Sequence, residues 1–244
     1  MALEILQRRC GADNIAILAV DRAAGAAAAI DAGDAEAVIA LAEAAGVAVT
    51  EVLVTHRHGD HIAGIPALTA RFPALWVIAP AKARAAVPGA HRFVGEGDRV
   101  AIGEAEAIVW ETPGHCADHV AYVLPAEGIA FVGDTLFALG CGRVFEDTME
   151  TMYASLMRLA ALPAATTIYC GHDYTLANGR FALTVEPGNA ALRRALAEAE
   201  AKAGRGELTT PSTIGAENAA NPFLRAGSAA RFAALRDAKN AFRG

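Results

Sequence analysis

The segment Thr55-His56-Arg57-His58-Gly59-Asp60-His61 constrains this chain more than any other stretch. Three of its seven histidines fall within six residues. The cluster follows Glu51–Thr55, an apolar run that reads as a buried strand. Side chains two apart on an extended or tightly turned backbone point the same way, so His56 and His58 can share one ion. Asp60 and His61 lie just beyond and can turn toward a second. Imidazole and carboxylate together suit zinc, iron or manganese. Four donors from one loop exceed the three protein ligands plus water of a usual catalytic zinc, so a paired centre needs donors from elsewhere. Three further segments supply them: Thr112-Pro113-Gly114-His115, Phe131-Val132-Gly133-Asp134-Thr135 and Cys170-Gly171-His172-Asp173. In each, the donor closes a strand candidate and follows a glycine. Any one of these histidines alone reads as an ordinary core or loop residue. Several strands that each deliver Gly-His or Gly-Asp at their ends do not.

Composition narrows the class. Of 244 residues, 54% are hydrophobic and 20% charged, which is ample apolar surface for a core. Cys10, Cys116, Cys141 and Cys170 are too dispersed for a disulfide scaffold. No stretch approaches a membrane span; the longest candidate, Leu159–Gly171, is interrupted by Pro163. Met1–Cys10 carries Glu4, Arg8 and Arg9 and lacks an apolar signal core. The expectation is a soluble, reduced, cytoplasmic protein. A formal net charge of −6 argues against nucleic acid as a partner.

Strands are expected at Asn14–Val20 and Ala26–Ile30, paired as an antiparallel hairpin, and then at Glu51–Thr55, Trp76–Ala79, Glu106–Thr112, Val120–Leu124, Ile129–Gly133 and Ile168–Cys170. A helix should start at an Asp34 cap and stop at Gly46, burying Val38, Leu41, Ala42 and Ala45. Met149–Leu159, Asn189–Ala203 and Ser228–Phe242 also read as helical, with Gly204 closing the second. The stretch between the last two is loop or broken helix. Character changes near residue 173, from mixed α/β to helical.

The set His-x-His-x-Asp-His, Thr-Pro-Gly-His, Gly-Asp-Thr and Cys-Gly-His resembles the metallo-β-lactamase superfamily over residues 1 to about 172. That resemblance implies an α+β fold, an αββα sandwich, here followed by a small C-terminal helical domain. The domains would be 1–172, catalytic, and 173–244, helical. One metal would take His56, His58 and His115, the other Asp60, His61 and His172, and Asp134 would bridge them. Asp60 and Asp134 are the expected catalytic carboxylates. The cofactors implied are two divalent metal ions per chain, zinc first, with iron or manganese as alternatives.

Gly140-Cys141-Gly142-Arg143-Val144-Phe145-Glu146, Gly171-His172-Asp173-Tyr174-Thr175, and a tail with Asn221-Pro222-Phe223-Leu224-Arg225 and Arg236-Asp237-Ala238-Lys239-Asn240 are similar to glyoxalase II, the hydroxyacylglutathione hydrolases. Together they extend the likeness over nearly the whole chain. The resemblance implies hydrolysis of S-D-lactoylglutathione, a glutathione thioester, to D-lactate and glutathione. A water shared by the two metals, its pKa lowered toward ~7, would attack the thioester carbonyl. Arg236 and Lys239, three apart on one helix face, suit an anionic ligand, and by the resemblance clamp a glutathione carboxylate. Arg143, Phe145 and Tyr174 match further substrate-site positions; Phe145 stands where some members have tyrosine. Gly59 replaces a residue that is often bulky, and Asp118 stands where glycine is common.

The rival reading is a glutathione persulfide dioxygenase on the same fold, with one iron on His56, His58 and His115 and with Asp134 as a fourth or water-linked group. A β-lactamase, a lactonase or a binding module with a structural metal leaves the cationic tail or the seven donors without a role. No membrane and no obligate protein partner is expected. Cys141, between two glycines, reads as a small packing residue in a tight loop, Cys116 as a serine or threonine substitute beside His115, His91 as a surface loop residue and His119 as structural.

Overall fold

The computed structural model describes residues 3–87 and 89–243. Its chain forms two units: residues 1–111 with 118–133, and residues 112–117 with 134–244.

In the first unit, β1 (Glu4–Cys10), β2 (Asn14–Asp21), β3 (Ala26–Ile30), β4 (Glu51–Leu53), β5 (Trp76–Pro80) and β6 (Arg92–Val94) form a six-stranded sheet in chain order. The expected hairpin is β2–β3, antiparallel; β1 adds to it antiparallel, while β3, β4, β5 and β6 run parallel. The sequence pattern does not announce β1, because this edge strand is only half-buried and exposes the consecutive Arg8 and Arg9. Parallel neighbours need crossovers. The first is α1 (Ala35–Ala45), capped by Asp34, whose Oδ1 accepts the Ala37 amide at 3.0 Å, and ended by Gly46 at φ 69°. Val38 and Ala42 are buried as predicted, with Ala35 and Ala37 beside them, whereas Leu41 and Ala45 stay partly exposed.

The second crossover, α2 (Gly59–Ile62) and α3 (Ile65–Arg71), was not foreseen; its turns are too short for a helical period to register. It lies hard against the loop after β3. The Ala32 amide donates to the His61 carbonyl at 2.7 Å, and a Cβ on Gly33 would lie 1.7 Å from the Asp60 carbonyl oxygen. Only glycine lets the two backbones meet there. Strand β4 is central: Val52, Leu53 and Val54 are wholly buried. Its carboxyl end delivers the histidine cluster, where ligand sites of parallel sheets form.

The same unit holds β7 (Arg99–Ile102), β8 (Ala105–Glu111), β9 (Val120–Leu124) and β10 (Ile129–Gly133), antiparallel in the order β10-β9-β8-β7. The Tyr122 hydroxyl on β9 donates to the Val54 carbonyl at 2.8 Å.

The second unit comprises β11 (Leu136–Phe137), β12 (Gly140–Cys141), α4 (Met149–Ala160), β13 (Thr167–Cys170), α5 (Thr175–Val185), α6 (Ala190–Gly204), β14 (Ser212–Thr213), α7 (Ile214–Ala220) and α8 (Ala229–Ala241). Thr148, Asn189, Thr213 and Ser228 cap α4, α6, α7 and α8 through side-chain oxygens. Leu139, Ala182, Leu192, Leu196 and Ala220 form a core between these helices. The reading missed α5, because Asn178 and Gly179 interrupt its apolar period; Asn178 is buried and donates to the Ala138 carbonyl at 3.2 Å. Residues 205–227, expected as loop or broken helix, contain β14 and α7. Among the described residues no helix is long and apolar enough to cross a membrane.

Candidate active site

The first unit orients its imidazoles through one carboxylate. Asp31 closes β3 in the left-handed region, φ 59°. It accepts the Thr55 amide at 2.7 Å, the Thr55 hydroxyl at 2.8 Å and His61 Nδ1 at 2.8 Å. A carboxylate only accepts, so His61 carries a proton on Nδ1, and in the neutral ring Nε2 is the lone-pair nitrogen. Thr55 has spent its hydroxyl proton on Asp31, so its oxygen accepts from His56 Nδ1, 3.0 Å away, and His56 Nε2 is likewise a lone pair. His56 Nε2 lies 3.1 Å from His58 Nδ1, and Asp60 Oδ2 lies 3.7 Å from His61 Nε2. Asn14 Nδ2 donates to Asp60 Oδ2 at 3.1 Å. The sequence reading missed Asp31 and Thr55. A charged residue ending a buried strand is the signal that marks Asp31.

The second unit repeats the device. His115 Nδ1 donates to the Arg143 carbonyl at 2.8 Å, which makes Nε2 the lone-pair nitrogen of the neutral ring. Asp134 Oδ2 stands 3.6 Å from His115 Nε2 and 3.3 Å from His172 Nε2. Tyr174 stacks on His172, with centroids 4.8 Å apart and planes 6° apart. Phe145, 61% exposed, sets its ring edge-on to His115 at 5.3 Å.

These donors fit metal ions. Two nitrogens on one tetrahedral zinc, each at 2.0–2.1 Å, are separated by roughly 3.3 Å, and the pairs above span 3.1–3.7 Å. Hydrogen-bonded outer partners of this kind set ring orientation in metal sites. Asp31 is such a partner, its oxygens engaged by Thr55 and His61.

In the second unit Arg143 is exposed and Lys239 half-buried, while Arg236 is only 3% exposed. Arg236 Nη1 donates to the Cys141 carbonyl at 2.9 Å and Nε to Asn240 Oδ1 at 3.2 Å, so this guanidinium braces β12. Lys239 Nζ donates to the Ala177 carbonyl at 2.9 Å. Burial, then repulsion from Arg236 and Arg143, pushes the Lys239 ammonium down to about 8.

All four cysteines are free thiols. Burial pushes Cys141 up to about 11 and Cys170 up to about 12, so neither is a thiolate nucleophile at neutral pH. Cys116 is wholly buried. His91 is exposed and its Nδ1 accepts the Val77 amide, while His119 is buried and stacks on His56 at 4.9 Å. A Cβ on Gly133 would meet His119 Nε2 at 2.6 Å and Thr55 Oγ1 at 2.7 Å, which together with φ 46° explains the glycine before Asp134. A Cβ on Gly59 would meet nothing within 4 Å, so the missing bulk leaves open space.

Residues 15–172 match the family model for the Metallo-beta-lactamase superfamily, and residues 173–242 match that for the Hydroxyacylglutathione hydrolase C-terminus. The crystal structure of ETHE1 from Myxococcus xanthus is similar, with TM-score 0.72 and 27% identity, covering 97% of this chain and 90% of that one. So is that of TTHA1623 in a di-iron-bound form, with TM-score 0.61 and 25% identity, covering 90% of this chain and all of that one. The chain belongs to the metallo-β-lactamase superfamily, with His and Asp clusters able to bind metal. A "Hydroxyacylglutathione hydrolase" from Methylobacterium sp. (strain 4-46) is 50% identical, over 98% of this chain and 99% of that protein. Within the superfamily, this chain is a member of the hydroxyacylglutathione hydrolase family.

Proposed function

We propose that this enzyme hydrolyses S-(2-hydroxyacyl)glutathione thioesters, S-D-lactoylglutathione foremost, to a 2-hydroxy acid and glutathione. The reading is carried by the fixed ring tautomers: Asp31, Thr55 and the Arg143 carbonyl turn His61, His56 and His115 so that each offers Nε2. Such pre-orientation serves an ion that must hold geometry during a reaction. The ligand sets we assign are His56, His58 and His115 for one ion, Asp60, His61 and His172 for the other, and Asp134 for both. Two zinc ions are the proposed occupants, with iron or manganese as substitutes that the same donors accept. When bound, such ions polarise a carbonyl and lower the pKa of a water.

The chain's own residues do the rest. Asp60 and Asp134 bring negative charge that tempers the cations. Arg143 and Lys239 attract the glutathione carboxylates, and Arg236 holds the β12 segment from which Arg143 projects. Phe145 and Tyr174 flank the reacting end. A leaving thiolate of ordinary pKa ~8.5 departs without a dedicated general acid. We assign residues 1–172 to catalysis and 173–244 to glutathione binding. Four free thiols support a reducing compartment, the cytoplasm.

The single-iron dioxygenase reading is not favoured, since the ETHE1 structure at 27% identity is more distant than the hydrolase relative at 50%. Loss of the ultraviolet absorbance of S-D-lactoylglutathione on protein of measured metal content tests the proposal. Turnover with about two ions per chain is expected; one iron per chain, no hydrolysis and oxygen uptake with glutathione persulfide would overturn it.

A further inference from the structure

Asp118 stands where the family motif commonly has glycine. Its side chain is 1% exposed, so its carboxylate needs partners. Both partners belong to one residue. Asp118 Oδ2 accepts the Arg57 main-chain amide at 2.9 Å, and Oδ1 accepts the Arg57 guanidinium. Arg57 is the residue between His56 and His58. Asp118 thus grips the connecting residue of the His-x-His pair by backbone and side chain at once. The next residue, His119, stacks on the His56 ring at 4.9 Å. A surface ion pair would hold only side-chain tips; this one fixes the peptide that sets the spacing of two donors.

We infer that Asp118, through Arg57, is a positioning residue that pre-forms the His56–His58 pair for its metal ion. The inference rests on the proposed ligand role of that pair. Thr55, itself held by Asp31, already turns the His56 ring; Asp118 fixes the backbone from which both rings hang. Without Asp118 that peptide loses a buried acceptor for its amide, and the ion would have to supply more of its ordering on binding.

The test is Zn2+ affinity, measured by competition with a chromogenic chelator on folded protein well below its unfolding temperature. Asp118→Ala should weaken Zn2+ binding by about 10–100-fold, lower kcat and hold KM. Asp118→Asn should fall between it and the parent, because the amide oxygen still accepts the Arg57 N–H. The control is Asp21→Ala. Asp21 is also buried, and it accepts the amides of Ala23, Ala24 and Glu104, away from the donors. That variant should lose stability and keep its Zn2+ affinity. Parent-like affinity in Asp118→Ala, or an equal loss in Asp21→Ala, overturns the assignment. If Asp118→Ala does not fold, parent-like affinity in both Asp118→Asn and Arg57→Ala overturns it. Failure of the functional reading is seen separately: parent protein that binds Zn2+ yet leaves the thioester intact refutes the activity and not the positioning role.

Discussion

Asp31 illustrates what a single residue does here. It occupies φ 59°, a region that Asp and Asn tolerate better than other side chains, and its oxygens set two ring tautomers. Asp31→Asn therefore keeps the backbone while spoiling the acceptor. Expected is a metal affinity lower by about 10–100-fold with KM held, read by metal titration and steady-state kinetics. Lys239 yields a pH prediction. Its ammonium, held near 8 against an ordinary 10.5, is charged at pH 7 and largely neutral by pH 9. KM for the anionic substrate should be flat below pH 7 and climb through pH 8–9, and Lys239→Met should show a raised KM, about tenfold, without that climb. Stability moves the other way. A depressed lysine pKa penalises folding below about 8, and the penalty fades as pH rises toward 10.5. Lys239→Met should thus be the more stable protein at pH 7 and lose its advantage above pH 10.5 in urea unfolding. At this scale the residues proposed as donors stand out in the sequence, since histidine and aspartate at glycine-marked strand ends are rare in combination. Asp31 and Thr55 were not, because their role appears only once the chain after β3 meets the chain after β4.

Elements were legible where period and caps agree. Strands β2, β3, β9 and β10 and helix α1 follow their apolar runs and punctuation to within a residue. Helix α5 and the 205–227 stretch were not, because polar residues turn inward there. Glu217 on α7 is the clearest case. It is 1% exposed, and it accepts the Ser212 hydroxyl, the Asn221 side-chain amide and the Leu139 main-chain amide, so one side chain ties β14, α7 and the β11–β12 turn. Burial raises its carboxyl above the usual 4.5. Glu217→Ala strands three donors and should cost about 3 kcal/mol or more. Glu217→Gln keeps an acceptor for the two amides, and the Ser212 hydroxyl can turn to accept from the new amide group. A raised acid pKa favours the fold below pH 4.5 and forfeits that support as pH rises through the folded value. The Gln variant should therefore match the parent at pH 4.5 and equal or exceed it at pH 7. Urea midpoints on chelator-treated protein, at both pH values, check this with metal loss kept out of the comparison.

For the whole molecule the largest single lever is the metal. Seven proposed donors come from four separate stretches of chain, residues 56–61, 115, 134 and 172. In the unfolded state nothing holds these stretches at ligand spacing, so the ions bind the native state almost alone. Linkage then gives about 4 kcal/mol of stabilisation when free metal is a thousandfold above its dissociation constant. In a chain of this length 1 kcal/mol corresponds to about 2–4 °C in Tm. Stripping the ions with a chelator should lower Tm by on the order of 10 °C and abolish thioester hydrolysis, and stoichiometric zinc should restore both together. The pairing of the two readouts is what discriminates. Metal that only props up the fold would leave chelated protein active at temperatures where it is still folded, whereas ions at the reacting centre silence it there, with circular dichroism unchanged.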